Sequence, residues 1–442
     1  MALYAATLFC DPKLPEAPML VYRNVATVMA AMIFLQVAAG SLHVALPLAM
    51  DAADWSAVAI GAVVASYAAG FMVGAWTAPW VIRTIGHIRA YAAYAGGAAA
   101  VTLMLALGSD FAFWTIARFG FGLCAAGIFA VSESWIADAT PSERRGAVIS
   151  VYQILGRAGL IAGPFLVALP PFDLTDGFII AGIFLSLSLV PIVFTRRSQP
   201  ALPQSETASP LRLFDIAPSA AAAVFVAGVV NSGLLAFIPI WAEGLTPGFS
   251  VESGASVGAA AVVVAVVYFF SILTQWPAGV ISDRFDRRLV IAVLAALAAV
   301  AALVLAVIPS PSLLTGALLA GAWGATSLAY YGVAVAHAAD RSRVEELPSI
   351  AAGLLLVWAA GSIVGPILAG VAWAGPLGAT GLFLFAAVFS AILCAGMLVR
   401  RRQRQPVKDA DRENFVYLSA TSSELAEIEA PDTAEAGARE PW

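Results

Sequence analysis

Charge is what this chain has least of: Asp, Glu, Lys and Arg make up 12% of its 442 residues against 61% hydrophobic, and the mean hydropathy is +0.89. Soluble domains carry about 25% charged residues, and no water-soluble core needs so much apolar surface, which excludes an ordinary globular domain. Cysteine is nearly absent. Cys10, Cys124 and Cys394 have neither pairing nor metal-ligand spacing, which excludes a disulfide scaffold and leaves Cys124 and Cys394 as small apolar residues within spans. Leu8-Phe9-Cys10 has the outline of a lipidation site, but no apolar stretch of signal length precedes it. No Gly-Lys-Ser/Thr phosphate loop is present, no cluster of His and carboxylates offers a metal site, and Ser132-Glu133-Ser134 does not sit in a Gly-x-Ser-x-Gly elbow. These absences argue against ATP-driven pumping within the chain, a resident metal or cofactor, and hydrolytic chemistry; the protein is expected not to be an enzyme.

The apolar residues instead gather into twelve segments long enough to cross roughly 30 Å of hydrocarbon at about 1.5 Å per residue. They run over about residues 24–50, 58–82, 91–108, 112–137, 147–168 and 177–195, then 216–241, 257–281, 289–308, 313–337, 349–371 and 379–399. Gly159-Leu-Ile-Ala-Gly163-Pro164 in the fifth segment is repeated as Gly361-Ser-Ile-Val-Gly365-Pro366 in the eleventh, so the chain reads as six spans duplicated. The expected fold class is an all-α integral membrane protein, twelve transmembrane helices in two pseudo-symmetric six-helix bundles at residues 24–195 and 216–399.

Basic residues set the orientation, because Lys and Arg near span ends stay cytoplasmic. Of 23 Lys and Arg, all but Arg118 and Arg157 lie in the N-terminal segment, in the connections after even-numbered spans, or in the C-terminal tail; the connections at 51–57, 170–176 and 242–256 contain none. Both termini are therefore expected inside. Residues 1–23, with Pro12, Pro15 and Pro18, read as an unstructured leader in which Met19 is a second possible start, and 196–215 as an interdomain linker. Residues 400–442 read as a tail, first basic at Arg400-Arg-Arg-Gln-Arg404, then acidic and too poor in apolar residues to fold. Those arginines anchor the last span and attract anionic lipid. Nothing points to nucleic acid or demands a dimer, so a monomer among membrane lipids is expected.

Span eight ends in Gly279-Val-Ile-Ser-Asp283-Arg284-Phe-Asp286-Arg287-Arg288, which sets acids and three arginines at one turn where they can form a charge latch. Its counterpart after span two, Pro79 to Arg89, is degraded, with Arg83 in the place of Asp283. On these residues the chain resembles the major facilitator superfamily over nearly all of 24–400. The family's loop motif, Gly-x-x-x-Asp-Arg-x-Gly-Arg-Arg, is matched at Gly279, Asp283, Arg284, Arg287 and Arg288, with Asp286 departing from the usual Gly. Arg118 and Gly122 match the span-four motif, and Gly159, Gly163 and Pro164 match part of the span-five motif of the family's antiporters. Val131-Ser-Glu133-Ser and Gln275-Trp-Pro277-Ala-Gly279 are similar to the YcaD-type bacterial branch. The resemblance implies two bundles rocking about a cavity lined by spans one, four, seven and ten, with Arg118 tuning a protonatable group.

Helical periodicity supplies candidate cavity faces: Trp323, Ser327, Tyr330, Ala334 and His337 in span ten; Met29, Met32, Gln36 and His43 in span one; Arg118, Gly122, Ala125, Phe129 and Glu133 in span four; Tyr268, Ser271 and Gln275 in span eight. The substrate-cavity candidates are Gln36, Phe129, Asn231, Trp323, Ser327 and Tyr330, although aromatic stripes also serve packing and intramembrane amides also bond neighbouring helices. Arg118, Glu133 and Arg157 are costly within a membrane and need partners; similar depths on antiparallel spans suggest a Glu133–Arg157 contact, either a structural ion pair or a switch. His43 and His337 are the other groups able to titrate near neutral pH, and span one has no acid between Asn24 and Met50. The leading expectation is a proton-coupled secondary transporter in a bacterial inner membrane, exporting a small, partly apolar or aromatic solute. The alternative is uptake of an anionic metabolite, by proton symport or facilitated diffusion, with Arg118 and Arg157 as carboxylate clamps. A third reading, of another class, is a non-transporting membrane sensor or assembly partner acting through the acidic tail.

Overall fold

The computed structural model describes residues 17–140, 142–169, 173–194, 211–245, 255–343 and 346–403. Most of the leader, the middle of the linker and the acidic tail lie outside the described residues. Among the described residues, twelve helices are long and apolar enough to span a membrane: Val25–Ala52, Ala57–Ile85, His87–Leu107, Phe111–Ala139, Val148–Val167, Leu174–Val193, Pro218–Glu243, Val257–Arg284, Arg287–Val307, Leu313–Ala339, Ser349–Ala374 and Ala379–Gln403. The helix of span one begins at Ala17 rather than at residue 24, because Pro18 falls in its first turn, where a missing N–H costs nothing. Part of the linker is also helical, over Arg212–Ile216.

Even-numbered spans start at the face that carries no arginine, and short polar side chains cap them there. Ser56 accepts from Ala59 N–H at 3.3 Å, Asp110 from Phe113 N–H at 3.1 Å and Ser312 from Thr315 N–H at 3.2 Å. Span six has a reciprocal capping box between Asp173 and Asp176.

Apolar helices gain no hydrophobic free energy from leaving lipid for one another, so close backbone approach must hold them. Glycine allows it here, and it does so twice. Spans one and five meet where Gly40 faces the Leu160 carbonyl and Gly163 the Val37 carbonyl; Gly159 packs on Ile33. Spans seven and eleven repeat the arrangement, with Gly228 against Trp358, Gly361 against Phe225 and Gly365 against Val229. Spans two and four interlock through Gly70, Gly74 and Gly122, and spans eight and ten through Gly321 and Gly324. The duplicated phrase thus encodes one helix contact made in each bundle.

Glycine also joins the bundles. Gly61 of span two faces the Pro366 carbonyl of span eleven, and Gly370 faces the Ala57 carbonyl, so the interface is sealed at the arginine-free face. Deeper in, the Phe71 and Trp358 rings meet edge to face at 5.9 Å, and spans five and eight meet where Arg157 lies over Tyr268.

A Cβ at position 365 collides with the Val229 carbonyl, whereas one at Gly96 meets nothing within 4 Å. Gly365→Ala is expected to destabilise by about 1–3 kcal/mol through overpacking, read as a lower melting temperature in detergent. Gly96→Ala should be neutral or stabilising, by up to about 1 kcal/mol of helix propensity.

Candidate solute cavity and charge latch

Between the bundles lies a cavity of about 240 Å³, somewhat below the roughly 300–1,000 Å³ of most small-molecule sites. Helix pairing decides what faces it. Gly122 brings span four so close to Tyr67 of span two that the Arg118 guanidinium, one turn away, sits 5.1 Å from the Tyr67 ring centroid and 5.2 Å from that of Phe121. Arg118 lines the cavity and is 6% exposed, yet its Nε and Nη1 have no hydrogen-bond partner. Arg157 lines the same cavity from span five, 5.9 Å from the Tyr268 ring. His43 of span one completes the group: its Nδ1 is 3.0 Å from the Tyr268 hydroxyl, and the two rings stack at 6.0 Å.

Among the described lining residues there is no carboxylate; the others are amides such as Gln36, Gln153, Asn231 and Gln275, aromatic rings including Phe129, Tyr331 and Trp358, and aliphatic side chains. The cavity therefore carries two guanidinium charges with none opposite. Buried groups of this kind attract whatever restores their hydrogen bonds and balances their charge. The arrangement can seat an anion at the arginines and stack an apolar body on the rings.

The structure brings together Arg118, Arg157, His43, Gln36, Phe129 and Asn231. Trp323, Ser327 and Tyr330 are elsewhere. They do share one helical face, as periodicity indicates, but each is 0% exposed and that face packs into the second bundle. Ser327 Oγ donates to Asn231 Oδ1 at 2.5 Å and Asn231 Nδ2 donates to the Ser327 carbonyl at 3.3 Å, so these two side chains bond each other inside protein, while the Trp323 indole N–H has no hydrogen-bond partner. The next residues round the helix, Leu328 and Tyr331, line the cavity instead; a rotation of one residue moves the face by about 100°.

The expected Glu133–Arg157 ion pair is also absent among the described residues. Arg157 turns into the cavity, while Glu133 is 3% exposed, does not line it, and lies within electrostatic range of Tyr331. His337 is buried far from His43, in a small recess with Ser219, Arg288, Arg341 and Arg400. Tyr67 and Phe121, which flank Arg118, escaped sequence reading because isolated aromatics in apolar spans carry no pattern; their only signal is proximity to the arginine.

At the arginine-rich face the span-eight motif folds into a latch. Arg287, 2% exposed, donates from Nε and Nη2 to the two carboxylate oxygens of Asp340 at 2.7 and 3.1 Å, pairs with Asp283 at 3.2 Å and donates to Ser282 Oγ at 3.1 Å. It thereby ties the ends of spans eight, nine and ten. Gly279 contributes its carbonyl to Ser282, and Arg284 is exposed. Asp286, the departure from the family's motif, caps span nine by accepting from Arg288 N–H at 3.0 Å, pairs with the Arg288 side chain at 2.9 Å and reaches Arg401 at 3.8 Å. Arg288 in turn donates to the Arg400 carbonyl at 3.2 Å. Burial works to raise the Asp286 pKa, but the side-chain and backbone hydrogen bonds from Arg288, with its charge, hold the carboxyl below its ordinary value.

Six spans and six more, paired alike around a mostly apolar cavity with a few charged and amide groups, large enough for one small organic molecule, define a membrane carrier of the secondary-transporter class. The chain belongs to the Major Facilitator Superfamily, whose sequence profile matches residues 28–270 and 244–432. A protein of Escherichia coli (strain UMN026) described as the uncharacterized MFS-type transporter YcaD is 28% identical over 357 residues, covering 78% of this chain and 87% of that one. Among solved structures, a bacterial homologue of the human lysosomal transporter Spinster, inward-facing and unoccupied, aligns with a TM-score of 0.69 at 17% identity, over 89% of this chain and 98% of that one. The E. coli fucose:proton symporter FucP (N162A) aligns with a TM-score of 0.57 at 14% identity, over 86% and 99%. The structural likenesses establish the fold.

Asp340→Asn is expected to destabilise the protein by about 3–5 kcal/mol, since it strips a buried guanidinium of its main counter-charge; thermal unfolding measures it. Asp286→Ala removes a helix cap and should cost about 1 kcal/mol at neutral pH. A carboxyl held below its ordinary pKa in the folded state stabilises above the unfolded pKa and loses that effect as pH falls through the folded one. The gap between parent and Asp286→Ala melting temperatures should therefore close on acidification below the ordinary carboxylate range.

Proposed function

We propose that this protein takes up a small organic anion with an aromatic or apolar body, together with a proton, across a bacterial inner membrane, with its arginine-rich face cytoplasmic. The observation that carries this reading is Arg118: a guanidinium at the cavity wall, 6% exposed, with two nitrogens lacking hydrogen-bond partners and a second arginine lining the same cavity. An aromatic carboxylate would supply acceptors for both arginines, and its ring would find Tyr67, Phe121 and Tyr268. A cationic solute would find no carboxylate among the described lining residues.

The partial antiporter motif does not favour export on this reading. Gly159 and Gly163 make the same kind of contact with span one as Gly361 and Gly365 make with span seven, so packing accounts for the motif in both bundles. Proton coupling is supported by analogy with the fucose:proton symporter of like fold. Moving a proton with a monoanion transfers no net charge, which suits uptake against an inside-negative membrane potential.

Melting of the purified protein with benzoate, benzamide or benzylamine isolates charge at nearly constant shape. A ligand at a hundred times its dissociation constant stabilises by about 2.7 kcal/mol. Benzoate is expected to stabilise and the other two not, and Arg118→Gln should weaken benzoate binding by about tenfold or more, as expected for a charged hydrogen bond. Equal stabilisation by benzylamine would sink the anion reading. Benzoate accumulation in vesicles under an inwardly directed proton gradient, lost when the gradient is collapsed, tests direction and coupling together.

A further inference from the structure

Three groups from three spans converge at one point of the cavity and cross the bundle interface. His43 belongs to the first bundle, as does Arg157; Tyr268, bonded to His43 at 3.0 Å and lying beneath Arg157, belongs to the second. We infer that His43 is the proton-binding residue of this cavity and that an anion seated at Arg118 and Arg157 is what allows it to be charged. The inference rests on the anion reading above and deepens it by naming the coupled group.

The argument is one of charge and hydrogen-bond polarity. The titratable and charged groups facing the cavity with His43 are Tyr67 from span two, Arg118 from span four, Arg157 from span five, Tyr268 from span eight and Tyr331 from span ten, with no carboxylate among the described lining residues. Phenols and guanidinium groups keep their charge states at neutral pH, so the imidazole is the one group in this set whose charge can change there. In the empty cavity a proton on His43 adds a third positive charge beside two guanidinium groups; with a carboxylate bound, that repulsion is offset. The contact with Tyr268 tolerates either state. Neutral His43 accepts at Nδ1 from the Tyr268 O–H, and protonated His43 donates Nδ1–H to the Tyr268 oxygen. The link between the bundles therefore persists while its polarity reverses. Binding of anion and proton is mutually reinforcing, since linkage makes the effect of each on the other equal. Glu133, the acid nearest to hand in sequence terms, does not line the cavity.

The test is proton uptake on binding, with benzoate and 2-naphthoate as probes, both fully ionised between pH 6 and 8. Between the titration of His43 in the free protein and its higher titration in the anion-bound one, purified protein in weakly buffered detergent with a pH indicator should take up close to one proton per anion bound and the apparent affinity should fall about tenfold per pH unit, levelling off above that window. His43→Gln should show no proton uptake, with an affinity independent of pH and near the parent's alkaline value. Glu133→Gln should keep the uptake. Tyr268→Phe preserves the ring beneath Arg157 but removes the oxygen that accepts from charged His43, and should move the loss of affinity to lower pH; this readout serves if His43→Gln fails to fold. Uptake retained in His43→Gln, uptake abolished in Glu133→Gln, or an unmoved profile in Tyr268→Phe overturns the inference. Probes that bind the parent without proton uptake overturn it alone. Probes that fail to bind at any pH overturn it together with the anion reading.

Discussion

The architecture depends on backbone-to-backbone contact through glycine. Within a bilayer, side chains are no better solvated by lipid than by one another, so the favourable term left for assembly is dispersion at close range. The Gly163–Val37 and Gly365–Val229 contacts bring spans one and five, and seven and eleven, together. The Gly122–Tyr67 contact then determines how span four is rotated, and so where the Arg118 guanidinium lies. Gly61 and Gly370 extend the same device across the bundle interface. The cavity is the space these contacts leave.

A cavity with two arginines and no acid among its described lining residues is an expensive object in a membrane. Arg118 is made tolerable by the Tyr67 and Phe121 rings against which it lies, since the face of an aromatic ring attracts a cation. What those contacts leave unsatisfied is the directional demand of the guanidinium for acceptors, and this is the quantity a bound anion can supply. The binding energy of such a site comes less from area than from the correction of an existing imbalance.

The second bundle carries the charge latch, and the described partners of that latch lie within the same bundle. Arg287 ties spans eight, nine and ten, and Asp286 with Arg288 ties the same turn to the end of span twelve. Asp286, which departs from the glycine the family usually places there, is the cap of span nine and the partner of Arg288 and Arg401. The aspartate converts a permissive turn into a charged knot that joins the last span to the latch.

Much of this was legible in the sequence. Twelve spans followed from the length of the apolar runs, the duplication from two copies of one glycine phrase, and the membership of the family from a handful of motif residues. Depth along each helix was also readable, at about 1.5 Å per residue, and the polar and aromatic residues that interrupt the apolar runs, Gln36, His43, Arg118, Phe129, Arg157 and Asn231, stand out in the sequence itself. Rotation about each helix axis was not. The stripe through Trp323, Ser327 and Tyr330 is one face of span ten but the packed one, and Glu133 and Arg157 have similar depths but different azimuths. In a soluble protein the polar face of a helix marks the side away from the core; here lipid and protein interior are both apolar, so the sequence of a span contains little that says which way it faces. Only the tertiary contacts decided that, through glycines whose partners lie on other helices.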